Sequence, residues 1–390
     1  GQGGALEGLI GNTNSSIGEV GGYGLRGMPL AGSFYGRSGA TREKSLREGG
    51  GTGASEAAVA KGLGWLARVQ VKLTEETAYW PMDGNFPNKG GKHDAGGTAL
   101  GLLPFLGAGK THKTSKDNPY DKPIERALNY LIGIQDKRTG AFSRDMYEHG
   151  LCSIAMCEAF GLSQDYKLKK PAQLAINFIV SAQHAGGGWR YAPGQAGDTS
   201  VTGWQIMALK SGLMSGLDVP AGALRKAQNY LDAVVHAQTE GYGYTDPNPT
   251  RTMTAVALLC RQYLQGWGPQ NLRMIKAVDN YIKPNYPRPD IKDVYYYYYA
   301  TQVMHHFGGD EWKAWNTKNR ELLVKTQNDE RNKPEVWGSW DPTGDQWGGH
   351  GGRLLVTSLN LLSLEVYYRY LPLYYRDNGA KADANVGKGL

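Results

Sequence analysis

The chain has 390 residues, with 43 Lys and Arg against 36 Asp and Glu for a net charge of +7, and 40% of it is hydrophobic. That length buries a sizeable core, and the composition excludes a wholly disordered chain. No apolar run approaches the ~18–20 residues that cross a bilayer, the three cysteines cannot build a disulfide framework, and the dispersed basic excess leaves no nucleic-acid footprint.

Residues 1–53 are Gly-rich and lack apolar periodicity, which predicts an N-terminal arm without a core of its own. Leu6, Leu9, Ile10, Leu25, Leu30, Phe34 and Tyr35 are spaced along it as isolated anchors, suited to a strap that joins subunits into a homo-oligomer or larger assembly, or that wraps its own body. A repeat occupies residues 54–375, and 376–390 read as a flexible tail. In each unit a half-polar helix ends near a Gln, a loop with Gly and an aromatic residue follows, and a more apolar helix completes the hairpin. The first helices are predicted at Ser55–Gln70, Pro123–Gln135, Pro171–Gln183, Ala221–Gln238, Leu272–Ile282 and Trp315–Gln327. The second are predicted at Asp94–Leu106, Tyr147–Phe160, Asp198–Leu213, Thr250–Leu264, Asp293–Phe307 and Arg353–Tyr370. Pro123–Gln135 carries Ile124, Leu128, Leu131 and Ile132 on one face and charge on the other, whereas Leu354–Leu364 is apolar nearly all round. Six half-exposed helices alternating with six buried ones describe an outer ring around an inner ring: an all-α (α/α)6 toroid with the N-termini of the inner helices at one mouth.

The tightest copy of the loop is Gln183, Gly187 and Trp189. Looser copies stand at Gln135 with Phe142, Gln238 with Tyr244, Gln327 with Trp337 and Trp340, and Gln70 with Trp80. This pattern resembles the Gln–Trp repeat of the terpenoid cyclase and protein prenyltransferase superfamily, above all its squalene–hopene cyclase branch, over about residues 55–375. The resemblance implies a structural role for these residues, tying neighbouring helices together. It also implies a cyclase acid in an Asp-x-Asp-Asp-Thr motif opening an inner helix. The matching stretch is Gln195-Ala196-Gly197-Asp198-Thr199, so the proton-donor position is a glycine, and Asp198 reads as a helix cap first and a catalytic acid second. The Asp-x-Cys pair of the zinc-dependent prenyltransferase branch is missing from the sequence, and no metal or cofactor is expected.

His93, Asp94, Glu148, His149, Asp198, Asp293, Tyr295 and Arg353 are the candidate residues at the mouth. Carboxylates around one cleft, with Trp and Tyr platforms, suit an acid–base pair acting on a saccharide, although helix dipoles alone favour acidic residues at those positions. His149 and Cys152 read as packed or capping residues. The five consecutive tyrosines Tyr295–Tyr299 point all round their helix, either walling a substrate cavity or filling it. The leading expectation is a non-catalytic binding or assembly protein of a bacterial envelope, periplasmic or surface-exposed, with a hydrophobic or saccharide ligand. Any membrane association would run through a segment outside this sequence. The alternative is an enzyme that uses the central cavity on an isoprenoid or a saccharide.

Overall fold

The computed structural model describes residues 34–370. A 3-10 turn (Tyr35–Arg37) and helix α1 (Gly39–Gly49) lead into six hairpins. These pair α2 (Gly53–Val69) with α3 (Asp94–Gly107), α4 (Asp121–Ile134) with α5 (Met146–Ser163), and α6 (Tyr166–Ser181) with α7 (Thr199–Met214). They continue with α8 (Ala221–Ala233) and α9 (Arg251–Gln265), α10 (Leu272–Ala277) and α11 (Val294–Phe307), and α12 (Gly309–Thr326) and α13 (Gly348–Leu364), before a short α14 (Val366–Arg369). Two antiparallel ribbons, β1 (Val71–Lys72) with β2 (Ala78–Tyr79) and β3 (Tyr242–Gly243) with β4 (Pro249–Thr250), decorate the loops. Helices α3, α5, α7, α9, α11 and α13 each pack on the next, and α13 returns to α3, so the inner ring closes. Their residues are buried almost throughout, whereas α4 buries only Ile124, Ala127, Leu128 and Leu131, one stripe at helical spacing. The architecture is the all-α (α/α)6 toroid, and no described helix is long and apolar enough to cross a membrane.

Several boundaries differ from the sequence reading for local reasons. Thr52, not Ser55, caps α2, and Ser55 closes a capping box from the third helical position. Pro171 lies inside α6, whose cap is Asp165. α8 stops at Ala233, short of Gln238. The fifth outer helix loosens into a π turn and a 3-10 turn around Pro284, which has no amide hydrogen to donate. Arg353–Tyr370 is not one helix: its N-terminal approach bends at Gly352 (φ +60°), where an added Cβ would lie 2.2 Å from the Gly90 nitrogen, and it breaks again at Glu365.

A repeated set of bonds sews the hairpins together. Gln135, Gln183 and Gln327 each donate through Nε2 to the loop glycine carbonyl (Gly140, Gly187 and Gly338) and to the next outer helix (Pro171, Ala223 and Ala58). Gln70 donates to Pro123 in the same sense, and the Gln327–Ala58 bond joins the last hairpin to the first. Two residues beyond each loop glycine stands a ring. The backbone amides of Trp189 and Trp340 donate to Thr202 and Thr357, and their indoles donate to Ile179 and Leu323. Trp80 repeats this with Thr98 and Leu66. The fourth hairpin corrects the sequence reading. Tyr242, not Tyr244, donates its amide to the inner-helix Thr254, and Glu240 (φ +60°) stands in the glycine position. The Gln position there is Val235, because His236 makes the loop bond to Gly241 that Asp136 makes to Ala141; Gln238 is exposed in the turn beyond. In the sixth hairpin the ring is Trp340, and Trp337 instead lies against the Arg68 guanidinium at 4.8 Å.

The end of the toroid opposite the mouth is closed by both flanks of the described chain. Arg37, 1% exposed, donates to Glu158 at 2.7 Å, to the last turn of α3 at Leu106 and to the Arg369 carbonyl. Arg369 reaches the same carboxylate at 3.3 Å. Burial opposes the charge on Glu158, but the two guanidiniums prevail and hold its carboxyl below the usual range. Phe34 fills the space beside Gly161, and Arg42 stacks over Tyr368 at 4.1 Å. Residues 34–53 of the arm therefore lie on their own toroid. The anchors from Leu6 to Leu30, the Tyr35 side chain and the 376–390 tail lie outside the described residues.

Candidate functional site at the mouth of the toroid

The first turns of the inner helices surround the mouth. Asp198 caps α7, accepting from the Val201 amide at 2.8 Å, and Arg190 stands 3.7 Å from its other oxygen. Asp293 caps α11 and also accepts from Trp347 Nε1 and Thr252 Oγ1, with Arg251 at 3.6 Å. Both carboxylates are buried and each caps its helix through one oxygen; Asp198 Oδ2 has no hydrogen-bond partner among the described residues, and burial raises that carboxyl above the usual range. Gly197, which the cyclase resemblance aligns with the proton donor, has no room for a side chain: an added Cβ would lie 2.7 Å from Gly188 Cα and 2.9 Å from the Tyr230 ring.

Asp94 and Glu148 are placed differently. Glu148 sits in the first turn of α5 and bridges to α3, accepting from the Gly96 amide at 3.1 Å and facing His93 Nδ1 at 2.9 Å. Asp94 is the first residue of α3, half-buried, and its carboxyl makes no side-chain hydrogen bond to a described residue. Burial, reinforced by the nearby Asp83, raises it above the usual carboxylate range. The stacked rings of Tyr79 and Tyr130, 5.3 Å apart, adjoin these carboxylates. On the other side the 91–93 loop meets α13 through the Gly91 amide and His350 carbonyl, which brings His350 and the half-buried Trp347 to the same mouth.

Below this rim the axis is filled. Tyr147 OH donates to Tyr295 OH at 2.6 Å, and Ser200 Oγ lies within 2.9 Å of both. Trp204 stacks on Tyr298 at 5.6 Å, and the Tyr298 hydroxyl accepts from Arg369 at the closed end. Tyr296 and Tyr297 turn outward to Asn285, Ile291 and Trp315. Two mouth candidates prove to be internal ties. His149 is fully buried, with Nδ1 accepting from the Phe142 amide and Nε2 donating to Ala175, and burial lowers it to about 4. Arg353 is also buried, donating to the Pro87 carbonyl and Ser339. The sequence reading missed Asp83, Tyr79 and Tyr130, whose link to Asp94 depends on how the β1–β2 ribbon folds back. No group of three or more His, Cys, Asp or Glu among the described residues is placed to hold a metal ion.

No family model and no curated protein matches the chain. Among solved structures it is similar to an inactive variant of the α-1,6-mannanase GH76A of Salegentibacter sp. in complex with α-1,6-mannotriose, at 9% identity and TM-score 0.57 over 80% of this chain and 99% of that one. It is also similar to a variant of the type II terpene cyclase MstE from Scytonema in complex with geranylgeranyl dihydroxybenzoate, at 14% identity and TM-score 0.52 over 84% of this chain and 99% of that one. An α-amylase from Clostridium perfringens matches at 10% identity and TM-score 0.53, over 80% and 97% of the two chains. At these identities the likeness is one of fold, the (α/α)6 toroid shared by terpenoid cyclase-like proteins and these glycan-processing enzymes.

Proposed function

We propose that the protein acts on a saccharide chain laid across its mouth, with Asp94 as general acid and Glu148 as its carboxyl partner. One observation carries this reading: two carboxyl groups in adjoining first turns occupy unlike environments. Asp94 is held above the usual carboxylate range, while Glu148 is fixed by a backbone amide and faces His93. Environments that separate two carboxyls in this way assign acid and base roles in glycoside cleavage. The half-exposed Tyr79, Tyr130 and Trp347 supply faces for sugar rings. An isoprenoid substrate is the weaker fit, because a polyene needs an enclosed apolar cavity with an acid aimed into it, whereas the axis is occupied by Tyr147, Tyr295, Trp204 and Tyr298 and the cyclase-acid position is Gly197. The test is reducing-end release from α-linked mannan and glucan. Wild type should release product, and Asp94→Asn and Glu148→Gln should each lower the rate at least ~100-fold while melting normally. Full activity in both variants would reject the assignment.

The filled axis also favours a second reading, a toroid that binds its ligand without turnover. Saturable saccharide binding that weakens in Glu148→Gln, with no product release from wild type, would select it.

A further inference from the structure

A second polar cluster lies at the other end of the toroid, two helical turns below a close contact between three inner helices. In that contact Gly203 of α7 meets Val256 of α9 and the Tyr299 hydroxyl of α11. Seven residues further along each helix stand Lys210, Tyr263 and His306, which the helical period returns to the same face. The Lys210 ammonium sits 4.4 Å from the centre of the Tyr263 ring, and the Tyr263 and His306 rings are 5.8 Å apart.

The polar atoms of this cluster are unmatched. The Tyr263 hydroxyl and both His306 nitrogens are buried without a hydrogen-bond partner among the described residues, and their residues are only 4% and 2% exposed. No carboxylate pairs with Lys210 in the described structure. The other buried charges at this end are engaged with one another and leave Lys210 unpaired among the described residues. Arg37 and Arg369 converge on Glu158. Glu365, also at this end, has no hydrogen-bond partner among the described residues at either oxygen, and burial pushes its carboxyl well above the usual range. Buried charges and polar groups are ordinarily matched, and each left unmatched costs stability.

We propose that Lys210, Tyr263 and His306 form a binding site for a small oxyanion, a carboxylate or phosphate group. The Lys210 ammonium supplies charge, while the Tyr263 hydroxyl and one His306 N–H supply directed donors. Burial lowers Lys210 only to about 8, so it remains mostly charged at neutral pH. Lys210 is half-buried and is the member of the cluster that reaches toward solvent, which gives the ion its way in. The site is independent of the mouth and of the saccharide reading.

The test is calorimetric titration of the full chain with sodium phosphate at pH 7. One saturable site is expected in wild type, weakened at least ~10-fold in Lys210→Met and unchanged in Lys313→Met, whose lysine lies exposed on α12. No saturable binding to wild type, or equal binding by Lys210→Met, would overturn the site. Crystals of wild type soaked in sodium bromide give a readout independent of any variant's folding. An anomalous peak touching Lys210 and His306 is expected, and an ordered water bonded to both in its place would overturn the proposal.

Discussion

Replacing Arg37 by Met tests whether residues 34–53 brace the toroid. The substitution keeps most of the side-chain volume but removes the bonds to Glu158, Leu106 and Arg369, leaving the buried carboxylate with Arg369 at 3.3 Å and the Tyr370 hydroxyl at 3.5 Å. Removing one partner of a buried ion pair costs about 3–5 kcal/mol, because the other charge remains out of water. Unfolding entropy of about 2.1 cal/mol/K per residue, over a body of roughly 340 residues, gives about 0.7 kcal/mol/K and hence a fall in Tm of about 4–7 °C. Differential scanning calorimetry at pH 7 reads this directly. The effect also has a sign in pH. Glu158 titrates below its unfolded value, so its cluster stabilises the fold above about pH 4.3 and loses that contribution as pH falls through the folded value. Without Arg37 the carboxyl titrates higher, the loss begins at higher pH, and the melting curves of wild type and variant converge in acid. A Tm within 1 °C of wild type at pH 7 would refute the account of the closed end.

Trp189→Ala removes a fully buried ring and the indole bond to Ile179, and should cost about 3–5 kcal/mol by chemical denaturation without changing the oligomeric state. Thr202→Val leaves the Trp189 amide without its acceptor and should cost about 1–3 kcal/mol by the same measurement. Gly197→Asp, which would place an acid where the cyclase resemblance expects one, should destabilise the fold and yield no cyclic product from squalene, because its Cβ would press on Gly188 and Tyr230. Cys152, Cys157 and Cys260 are buried and burial raises their thiols above the usual range, so all three should resist iodoacetamide in the native protein and react after denaturation.

The toroid was legible because its physics is periodic: a one-faced helix and an all-round apolar helix recur every 43 to 60 residues, and only concentric rings bury both. The cap at Asp198 was legible because the residue type and its place before an apolar helix carry the mechanism. The exact ring of each hairpin was not. Tyr242 and Tyr244, or Trp337 and Trp340, satisfy a spacing rule equally, and the bond to a threonine more than ten residues downstream chooses between them. Thr98, Thr202, Thr254 and Thr357 were the available signal. The Arg37 plug left no trace in periodicity, because a single arginine in a Gly-rich stretch acquires meaning only when Glu158 and Arg369 converge on it. The Asp83–Asp94–Glu148 grouping similarly depends on a loop fold that no local pattern encodes.

The most direct test of the mouth as the working site is a crystal structure of the protein soaked with α-linked manno- and gluco-oligosaccharides. A sugar chain is expected to lie across the rim, within hydrogen-bond reach of Asp94 and Glu148 and against Tyr79, Tyr130 or Trp347, with the Tyr147–Ser200–Tyr295 contacts below it intact. A ligand seated in the axis with those tyrosines displaced, or a mouth left empty at saturating sugar, would contradict it.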